Sequence, residues 1–265
     1  AQSEALTGKQ FARYWFHARF LLVEGQKMSK SLGNFYTVRD LILLGHKPSS
    51  IRWLLTQVPY RNQLNFTFDG LKSAASSVEK LRNFRFRLNS TQLRPGSTAP
   101  MAQLAEETIA KMKSALDDDL NTAEAQGAIF DMLRKANTAL DAAEAGQNAG
   151  QNEVRQDDIK PLLAALERFD EIFGVLKDDD LPKMKAILDW AKAEGGEKEK
   201  EISPALQEIA GTAQLADEQV NQKLAEMEAA RKSRNFKASD ALRAELTGAG
   251  IIVENTKDGV RWRRK

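Results

Sequence analysis

Apolar residues recur in this chain with the period of a helix, and this spacing limits its fold more than any other sequence feature. Between Thr67 and Leu176 the apolar side chains return at intervals of three or four residues, which is typical of amphipathic helices. The pattern predicts successive helices, the first of them capped by Thr67, around residues 71–88, 104–116, 129–140 and 162–176. The sequence therefore predicts a mainly α fold with an up-and-down helical bundle at its centre.

Shorter elements are predicted on both sides of the bundle. Thr37 followed by Asp40 resembles a capping box and predicts a helix from Val38 to Leu44. The β-rich runs around Asp258-Gly259 predict a terminal hairpin. The remaining predicted elements are a helix that includes residues 14–16, a buried strand at 20–23, a helix that begins at Pro48, a flexible charged linker at 193–201 and a short helix at 236–247.

Charge is distributed unevenly, although the net charge of the whole chain is only +2. Residues 1–94 carry 15 Lys and Arg against 5 Asp and Glu, residues 95–230 carry 14 against 28, and residues 231–265 carry 10 against 4. Two basic ends suggest a polyanion that is contacted at two places. Solvated helix faces would explain the same composition, so charge alone leaves both interpretations open.

Two absences narrow the class of protein. The chain contains no Cys, which excludes a disulfide framework, a redox thiol and a thiolate metal ligand within these residues. No apolar run approaches the ~18–20 residues of a membrane-spanning helix, and no basic-then-apolar leader opens the chain. We therefore expect a cytoplasmic protein with no membrane partner.

Residues 27–31, Lys-Met-Ser-Lys-Ser, form the most informative string. Two lysines three positions apart, serines beside them and glycines at 25 and 33 predict a mobile cationic loop. Such a loop can close over a triphosphate and place ammonium groups where charge develops on departing pyrophosphate. The GxxxxGK[ST] pattern of a Walker loop is missing. As a bare cluster of Lys and Ser, the string would also fit a solvated loop.

The string resembles the KMSKS signature of class I aminoacyl-tRNA synthetases, and its surroundings resemble the cysteinyl-tRNA synthetase family. The resemblance runs from the first residue to the last in family order. It is carried by AQSEA at 1–5, RYWFH at 13–17, VEGQKMSKSLGNFYTVRDL at 23–41, YRNQLNF at 60–66, DDDLNTAEA at 117–125 and the tail through GVRWRRK.

The resemblance implies a chain of four parts. They are the C-terminal end of a Rossmann-type catalytic domain with the KMSKS loop (1–45), a helical stem-contact region (46–100), a DALR-like helical bundle for anticodon binding (101–195) and a small α+β anticodon-recognition domain with a hairpin (200–265). It also implies that the chain is the C-terminal part of a longer enzyme and is inactive alone.

The implied activity is that of a cysteine–tRNA ligase, which activates L-cysteine with ATP to cysteinyl-adenylate and transfers cysteine to the 3′ end of tRNA(Cys). Lys30 and Lys27 correspond to catalytic residues that bind the transition state better than ground-state ATP. The implied ATP-binding residues are Lys27, Met28, Ser29, Lys30, Ser31 and His17. The implied anticodon contacts are Phe236, Asp240, Arg243 and Trp262. Arg19 replaces a Gly common in the family, and relatives often carry Trp where Phe236 stands.

The resemblance also implies the cofactors and partners. ATP acts with Mg²⁺, and Zn²⁺ belongs to the full-length enzyme, with its ligands before the position matched by Ala1, so no metal site is expected in this chain. The expected partners are tRNA(Cys), ATP and L-cysteine, and the expected state is a monomer.

Alternatives remain for the function and for several residues. The enzymatic alternative is the mycothiol-pathway cysteine ligase, and the non-enzymatic one is a tRNA-binding module whose residues 27–31 contact only RNA. Purely structural roles would also fit His17, Phe236 and Trp262. The acidic strings 117–119 and 178–180 are interpreted as helix caps or solvated turns, and His46 as an exposed loop residue.

Overall fold

The computed structural model describes residues 2–144, 154–177, 179–211, 217–256 and 259–264. The helices in this part of the chain are α1 (Gln2–Thr7), α2 (Val38–Leu43), α3 (Pro48–Thr56), α4 (Phe68–Ser90), α5 (Ala99–Asp117), α6 (Thr122–Glu144), α7 (Ile159–Phe173), α8 (Asp180–Glu194), α9 (Gly196–Lys200), α10 (Pro204–Gly211), α11 (Asp217–Lys232) and α12 (Phe236–Gly248). The strands are β1 (Leu22–Val23), β2 (Gln26–Lys27), β3 (Asn65–Phe66), β4 (Ile251–Thr256) and β5 (Gly259–Arg264). The predicted mainly α fold is confirmed.

Helix α4 shows how the sequence pattern becomes packing. The Thr67 hydroxyl accepts a hydrogen bond from the Gly70 N–H at 2.9 Å, so the predicted cap is present. Leu71, Val78 and Leu81 fall on one face of the helix and are buried. With 23 residues, α4 is about 34 Å long at ~1.5 Å per residue, which makes it a rigid rod through the molecule.

The main core lies where α3 packs against the bundle helices. Trp53 of α3 is buried and contacts the rings of Phe130 in α6 and of Phe169 and Phe173 in α7. The last two rings are stacked, with their centroids 4.3 Å apart. Aromatic side chains bury large apolar areas, so this cluster fixes α3 on the bundle. None of the helices in the described ranges is long and apolar enough to span a bilayer.

A small sheet carries the Lys-Met-Ser-Lys-Ser string. β1 pairs antiparallel with β2 and parallel with β3, and α2 and α3 form the crossover between the parallel strands. The turn from β1 to β2 is Glu24-Gly25, and both residues have positive φ (48° and 77°), as a type I′ hairpin requires. Two hydrogen bonds fasten this turn to β3 and to the start of α4. Gly25 N–H donates to Asn65 Oδ1 of β3 at 2.8 Å, and Phe68 N–H of α4 donates to Glu24 Oε1 at 3.0 Å.

The structure corrects four local predictions. Residues 14–16 are not helical, and the predicted strand at 20–23 shrinks to two residues, with Phe20 83% exposed. Residues 193–201 are not a flexible linker, because α8 extends to Glu194 and α9 adds a helical turn that Lys–Glu pairs three residues apart support. His46 is half-buried beside the Phe68 ring, with 5.8 Å between the ring centroids, and is not exposed.

The C-terminal residues have a core of their own. α11, α12 and the β4–β5 hairpin pack together around Val220, Met227, Leu246 and Ile251. The strands are antiparallel, and Val253 pairs with Trp262. The predicted terminal hairpin is confirmed, while its expected turn residue Asp258 lies outside the described residues.

Candidate nucleotide loop and nucleic-acid interface

The two lysines of the candidate phosphate loop are open to solvent. Lys27 ends β2, and the chain then has no helix or strand until α2 begins at Val38. Both lysine side chains are exposed. The Lys30 ammonium lies 5.6 Å from the centroid of the Phe35 ring, and within the described ranges neither lysine forms an ion pair. Two cations are therefore available to an anion from solution.

Hydrogen bonds inside the loop give it a defined shape. Asn34 Oδ1 accepts from the Ser29 N–H at 2.8 Å, and Asn34 Nδ2 donates to the Lys27 carbonyl at 3.1 Å. The Ser29 hydroxyl accepts from the Leu32 N–H at 3.2 Å and lies 3.2 Å from the Ser31 hydroxyl. Asn34 is not among the predicted site residues, although a carboxamide just after Gly33 in a glycine-flanked loop is a recognisable turn signal.

Helix α2 anchors the C-terminal end of this loop. The predicted capping box is present, because the Thr37 hydroxyl accepts from the Asp40 N–H and the Asp40 carboxylate accepts from the Thr37 N–H. The Arg39 guanidinium lies 3.9 Å from the centroid of the Trp190 ring in α8. At the end of α2, the Ser203 N–H donates to the Leu43 carbonyl at 3.0 Å. The loop is therefore mounted on a helix that α8 and the residue before α10 hold in place.

The segment before β1 presents an apolar surface. Phe11, Tyr14 and Trp15 are exposed, Tyr14 by 92%. The His17 ring stacks on Trp15 with 6.0 Å between centroids, and it is exposed. In the described part of the chain, no hydrogen bond, ion pair or ring contact joins His17 to residues 27–31. The structure therefore does not bring His17 onto the phosphate loop.

An exposed cluster links this segment to the bundle. The Tyr60 hydroxyl donates to Asp119 Oδ1 at 2.7 Å, and the Arg61 guanidinium pairs with the same carboxylate. Phe16 packs on Tyr60 with 4.1 Å between ring centroids. The hydrogen bonds from Arg61, and then from Tyr60, lower the pKa of Asp119, and the bond to Asp119 raises the pKa of Tyr60. Asp119 and the following Leu120 have positive φ (52° and 56°), a conformation uncommon for residues other than Gly.

Basic residues on α4 divide into structural and free groups. Arg82 donates to Asp180 at 2.9 Å and to the Val175 and Lys177 carbonyls. Asp180 is only 3% exposed at its side chain and also accepts from the N–H and hydroxyl of Ser49. The interpretation of this acidic string as a solvated turn is therefore wrong for Asp180. Lys80, by contrast, is exposed.

The predicted anticodon residues of α12 occupy one side of the helix. Phe236, Asp240 and Arg243 are spaced four and three residues apart, which places them on one face. Phe236 is 63% exposed, and Asp240 is exposed. Arg243 is half-buried, and its Nη2 donates to the Val253 carbonyl at 3.0 Å. An aromatic ring and a carboxylate are thus presented together at the start of α12, with a partly engaged guanidinium behind them.

Trp262 lies in a different place. Its Nε1 donates to Asn221 Oδ1 at 2.9 Å, and its ring packs on the C-terminal core. It lines a groove between α4 and α11, and Phe236, Asp240 and Arg243 are not among the groove residues, which are Phe86, Ser90, Asn221, Leu224, Ala225, Glu228, Val260 and Trp262. The neighbouring side chains of Arg261, Arg263 and Arg264 lie outside the described residues.

No zinc ligand set is present in the described part of the chain. The sequence has no Cys, and the described residues hold no group of three or more His, Asp or Glu side chains that could bind a metal ion. Zinc in proteins takes three or four such ligands, so the residues described do not fit it.

Three family models match successive parts of the chain. The tRNA synthetases class I (C) catalytic domain matches residues 1–76, the DALR domain residues 111–177, and the cysteinyl-tRNA ligase anticodon binding domain residues 214–263. The first match contains the phosphate loop, the second lies within the bundle, and the third contains α12 and the hairpin. Successive parts of the chain thus match a catalytic domain, a DALR domain and an anticodon-binding domain of class I tRNA synthetases.

Curated relatives indicate which synthetases the chain resembles. The chain is 58% identical over all 265 residues to the cysteine–tRNA ligase of Koribacter versatilis, covering 51% of that protein. It is 43% identical to that of Solibacter usitatus and 34% identical to that of Protochlamydia amoebophila, again over its whole length, covering 48% and 47% of them. The chain is similar over its whole length to these cysteine–tRNA ligases, and it spans about half the length of the curated relatives it matches.

Proposed function

We propose that the chain is the C-terminal part of a cysteine–tRNA ligase, which activates L-cysteine with ATP and transfers it to the 3′ end of tRNA(Cys). The observation that carries this proposal is the combination, in one chain, of a solvent-open two-lysine loop within the class I catalytic match and an exposed Phe236–Asp240 face within the anticodon-binding match. The match over 214–263 does not favour the mycothiol-pathway ligase, which needs no RNA reader, and the catalytic match does not favour a module that only binds RNA.

At the phosphate loop, Lys30 and Lys27 act on the charge that develops when pyrophosphate leaves ATP. Both ammonium groups are exposed on flexible side chains, so they can approach the β- and γ-phosphates as the loop closes. Their contribution is largest where negative charge is largest, in the transition state. Ser29 and Ser31 add hydroxyl hydrogen bonds to phosphate, and Met28 packs against the main core. His17, which stacks on Trp15 and contacts none of residues 27–31 in the described part of the chain, binds the nucleotide from the segment before β1.

At the other end, α12 and the hairpin read RNA. An exposed aromatic ring such as Phe236 stacks an unpaired base whatever its identity, and a carboxylate such as Asp240 accepts hydrogen bonds from base edges. Arg243 keeps free donors after its bond to Val253, because a guanidinium has five. Trp262 contributes beside the basic tail. Its bond to Asn221 supports a positioning role as well as an RNA contact.

The remainder of the enzyme completes the catalytic site. We propose that the exposed aromatic residues Phe11, Tyr14 and Trp15 pack against the rest of the catalytic domain, and that ATP binds there with Mg²⁺. Zinc and its ligands then belong to that same part. The domain boundaries at residues 45, 100 and 195–200 separate the end of the catalytic domain, the stem-contact region, the helical bundle and the anticodon-recognition domain. The protein acts as a monomer in the cytoplasm.

The test uses the full-length gene product. It should exchange pyrophosphate into ATP only when L-cysteine is present, and it should attach cysteine to tRNA(Cys). The 265-residue chain expressed alone should bind tRNA(Cys) with steep salt dependence but should show no exchange. Full-length protein that exchanges pyrophosphate with cysteine but charges only a small amine acceptor would refute the proposal in favour of the mycothiol-pathway ligase.

A further inference from the structure

We propose that Asn34 is a positioning residue that holds Lys27 and Lys30 in the geometry needed for phosphate binding. The inference rests on the proposed function and adds a residue to its machinery. The Asn34 side chain closes the loop across its base, because its oxygen accepts from the Ser29 N–H at 2.8 Å and its nitrogen donates to the Lys27 carbonyl at 3.1 Å. One carboxamide therefore joins the backbone of the first lysine to the residue directly before the second.

The chemistry of these two bonds selects a carboxamide. The side chain must offer an acceptor and a donor from the same planar group, which among short side chains only Asn does. Ala offers neither, and the isosteric carboxylate of Asp only accepts. Asn34 is half-buried, so the Ser29 N–H and the Lys27 carbonyl would be poorly rehydrated without it.

The other hydrogen bonds of the loop cannot replace the two bonds of the Asn34 side chain, which together form the Asn34 clasp. Its remaining internal bonds are longer, each at 3.2 Å: Leu32 N–H to the Ser29 hydroxyl, Gly33 N–H to the Lys30 carbonyl, and the bond between the Ser29 and Ser31 hydroxyls. Beyond Asn34 the chain enters α2, which is anchored on α8 through Arg39 and Trp190. Asn34 thus sits between a fixed helix and two lysines that are themselves unrestrained by ion pairs in the described part of the chain.

The expected effect falls on the chemical step. Catalytic groups contribute fully only when their backbone is held in place before the substrate arrives, and a displacement of about 1 Å can cost ~100-fold in rate. Loss of the clasp should therefore lower kcat for adenylate formation and leave the KM for cysteine unchanged. It should also leave tRNA affinity unchanged, because α12 lies outside the loop.

The experiment compares three variants of the full-length protein by cysteine-dependent ATP–pyrophosphate exchange. Asn34→Ala should lower kcat by about 10- to 100-fold, and Asn34→Asp, which keeps the volume but loses the donor, should not restore it. Asn65→Ala is the matched control, because it removes another Asn hydrogen bond to the β1–β2 hairpin, the one that Asn65 Oδ1 of β3 accepts from the Gly25 N–H at 2.8 Å, outside residues 27–34. We expect its kcat to stay within about threefold of the parent.

The outcomes separate the two proposals. If the parent protein shows no exchange with cysteine, the proposed function fails whatever Asn34 does. If the parent exchanges pyrophosphate and Asn34→Ala has kcat within twofold of it, the role of Asn34 is refuted. A loss of exchange matched by an equal loss of folded protein or of tRNA affinity, or full recovery in Asn34→Asp, would also refute it.

Discussion

The bundle and the phosphate loop use basic residues in opposite ways. In the bundle, the Arg82 side chain is 15% exposed and donates hydrogen bonds to Asp180 and to two backbone carbonyls. In the loop, Lys30 is exposed, and its ammonium lies 5.6 Å from the centroid of the Phe35 ring. The difference shows that the abundance of Lys and Arg in residues 1–94 does not by itself mark a polyanion surface. Whether a basic side chain stabilises the fold or stays open to a ligand depends on the partners that other helices and loops place beside it.

Helix α4 belongs to both regions. The N–H of its first residue, Phe68, donates to the Glu24 carboxylate in the β1–β2 turn. Its other end contributes Phe86 to the groove that Trp262 lines. A single rod about 34 Å long therefore reaches from the hairpin that carries the lysines to the C-terminal residues. One helix therefore sets the distance between the lysine-bearing hairpin and the C-terminal residues.

The largest expected effect tests the scaffold role of the bundle charges. Asp180→Ala should lower the free energy of unfolding by about 3–5 kcal/mol, because it leaves Arg82 and the Ser49 N–H buried without their partner. Asp189→Ala on the same helix, where the side chain is exposed, is the control and should stay within ~0.5 kcal/mol. Urea denaturation of the full-length protein measures both. Equal effects of the two substitutions would erase the contrast between bundle and loop.

Two glycines give a pair of changes with opposite signs. Gly45, which follows α2, has φ +94°, and a Cβ there would lie 2.9 Å from the Ala205 Cβ. Gly45→Ala should therefore destabilise the protein by about 1–3 kcal/mol. Gly127 lies inside α6 with open space around it, so Gly127→Ala should stabilise by roughly 0.5–1 kcal/mol. Thermal denaturation decides the signs. A stabilising Gly45→Ala would mean that α2 is not packed on α10 as described.

Substitutions on the face of α12 that is proposed to bind RNA should change tRNA affinity without changing stability. Phe236→Ala should weaken binding of tRNA(Cys) by about tenfold, because base–aromatic stacking contributes ~1–3 kcal/mol. The exposed ring supports no core, so the melting temperature should stay unchanged. Thr247→Ala, on the same helix, serves as a control for affinity. Unaltered tRNA affinity in Phe236→Ala would remove the base-stacking role.

The smallest effect concerns His46, between the loop-bearing helix α2 and the bundle. Burial, and then the charge of Lys72, lower the pKa of His46 from 6.5. Below pH ~6.5 the unfolded chain takes up a proton that the folded protein resists, so stability is complete above this pH and falls as the pH drops. We expect less than about 1 kcal/mol, since the group is only half-buried. His46→Gln should flatten the dependence of the urea midpoint on pH between 7.5 and 5.5, and an unchanged slope would contradict the assignment.

Local signals in the sequence were sufficient for much of the fold. The Thr67 cap, the Thr37–Asp40 capping box and the terminal hairpin depend on residues within a few positions of each other, so their patterns carry the information. The candidate phosphate loop is predicted in the same way, because its lysines, serines and glycines are contiguous. The structure places it outside helices and strands except for Lys27 at the end of β2.

Features that depend on distant residues could not be predicted. Asp180 is buried because Ser49 and Arg82 meet it, 131 and 98 residues away along the chain. Residues 14–16 have helical spacing, but no described element covers their apolar side, and they remain exposed and irregular. Nor does the helical spacing of Phe236 and Arg243 show that one is exposed and the other is bonded to Val253.

The most direct test of the division between the two ends is pre-steady-state adenylate formation by Lys30→Ala in the full-length protein, measured together with tRNA(Cys) affinity. We predict that activation slows by about 100-fold or more, as removal of a preorganised transition-state partner does in other enzymes, while the Kd for tRNA changes by less than twofold. Unchanged activation with weakened tRNA binding would show that Lys30 is an RNA contact and would contradict the account.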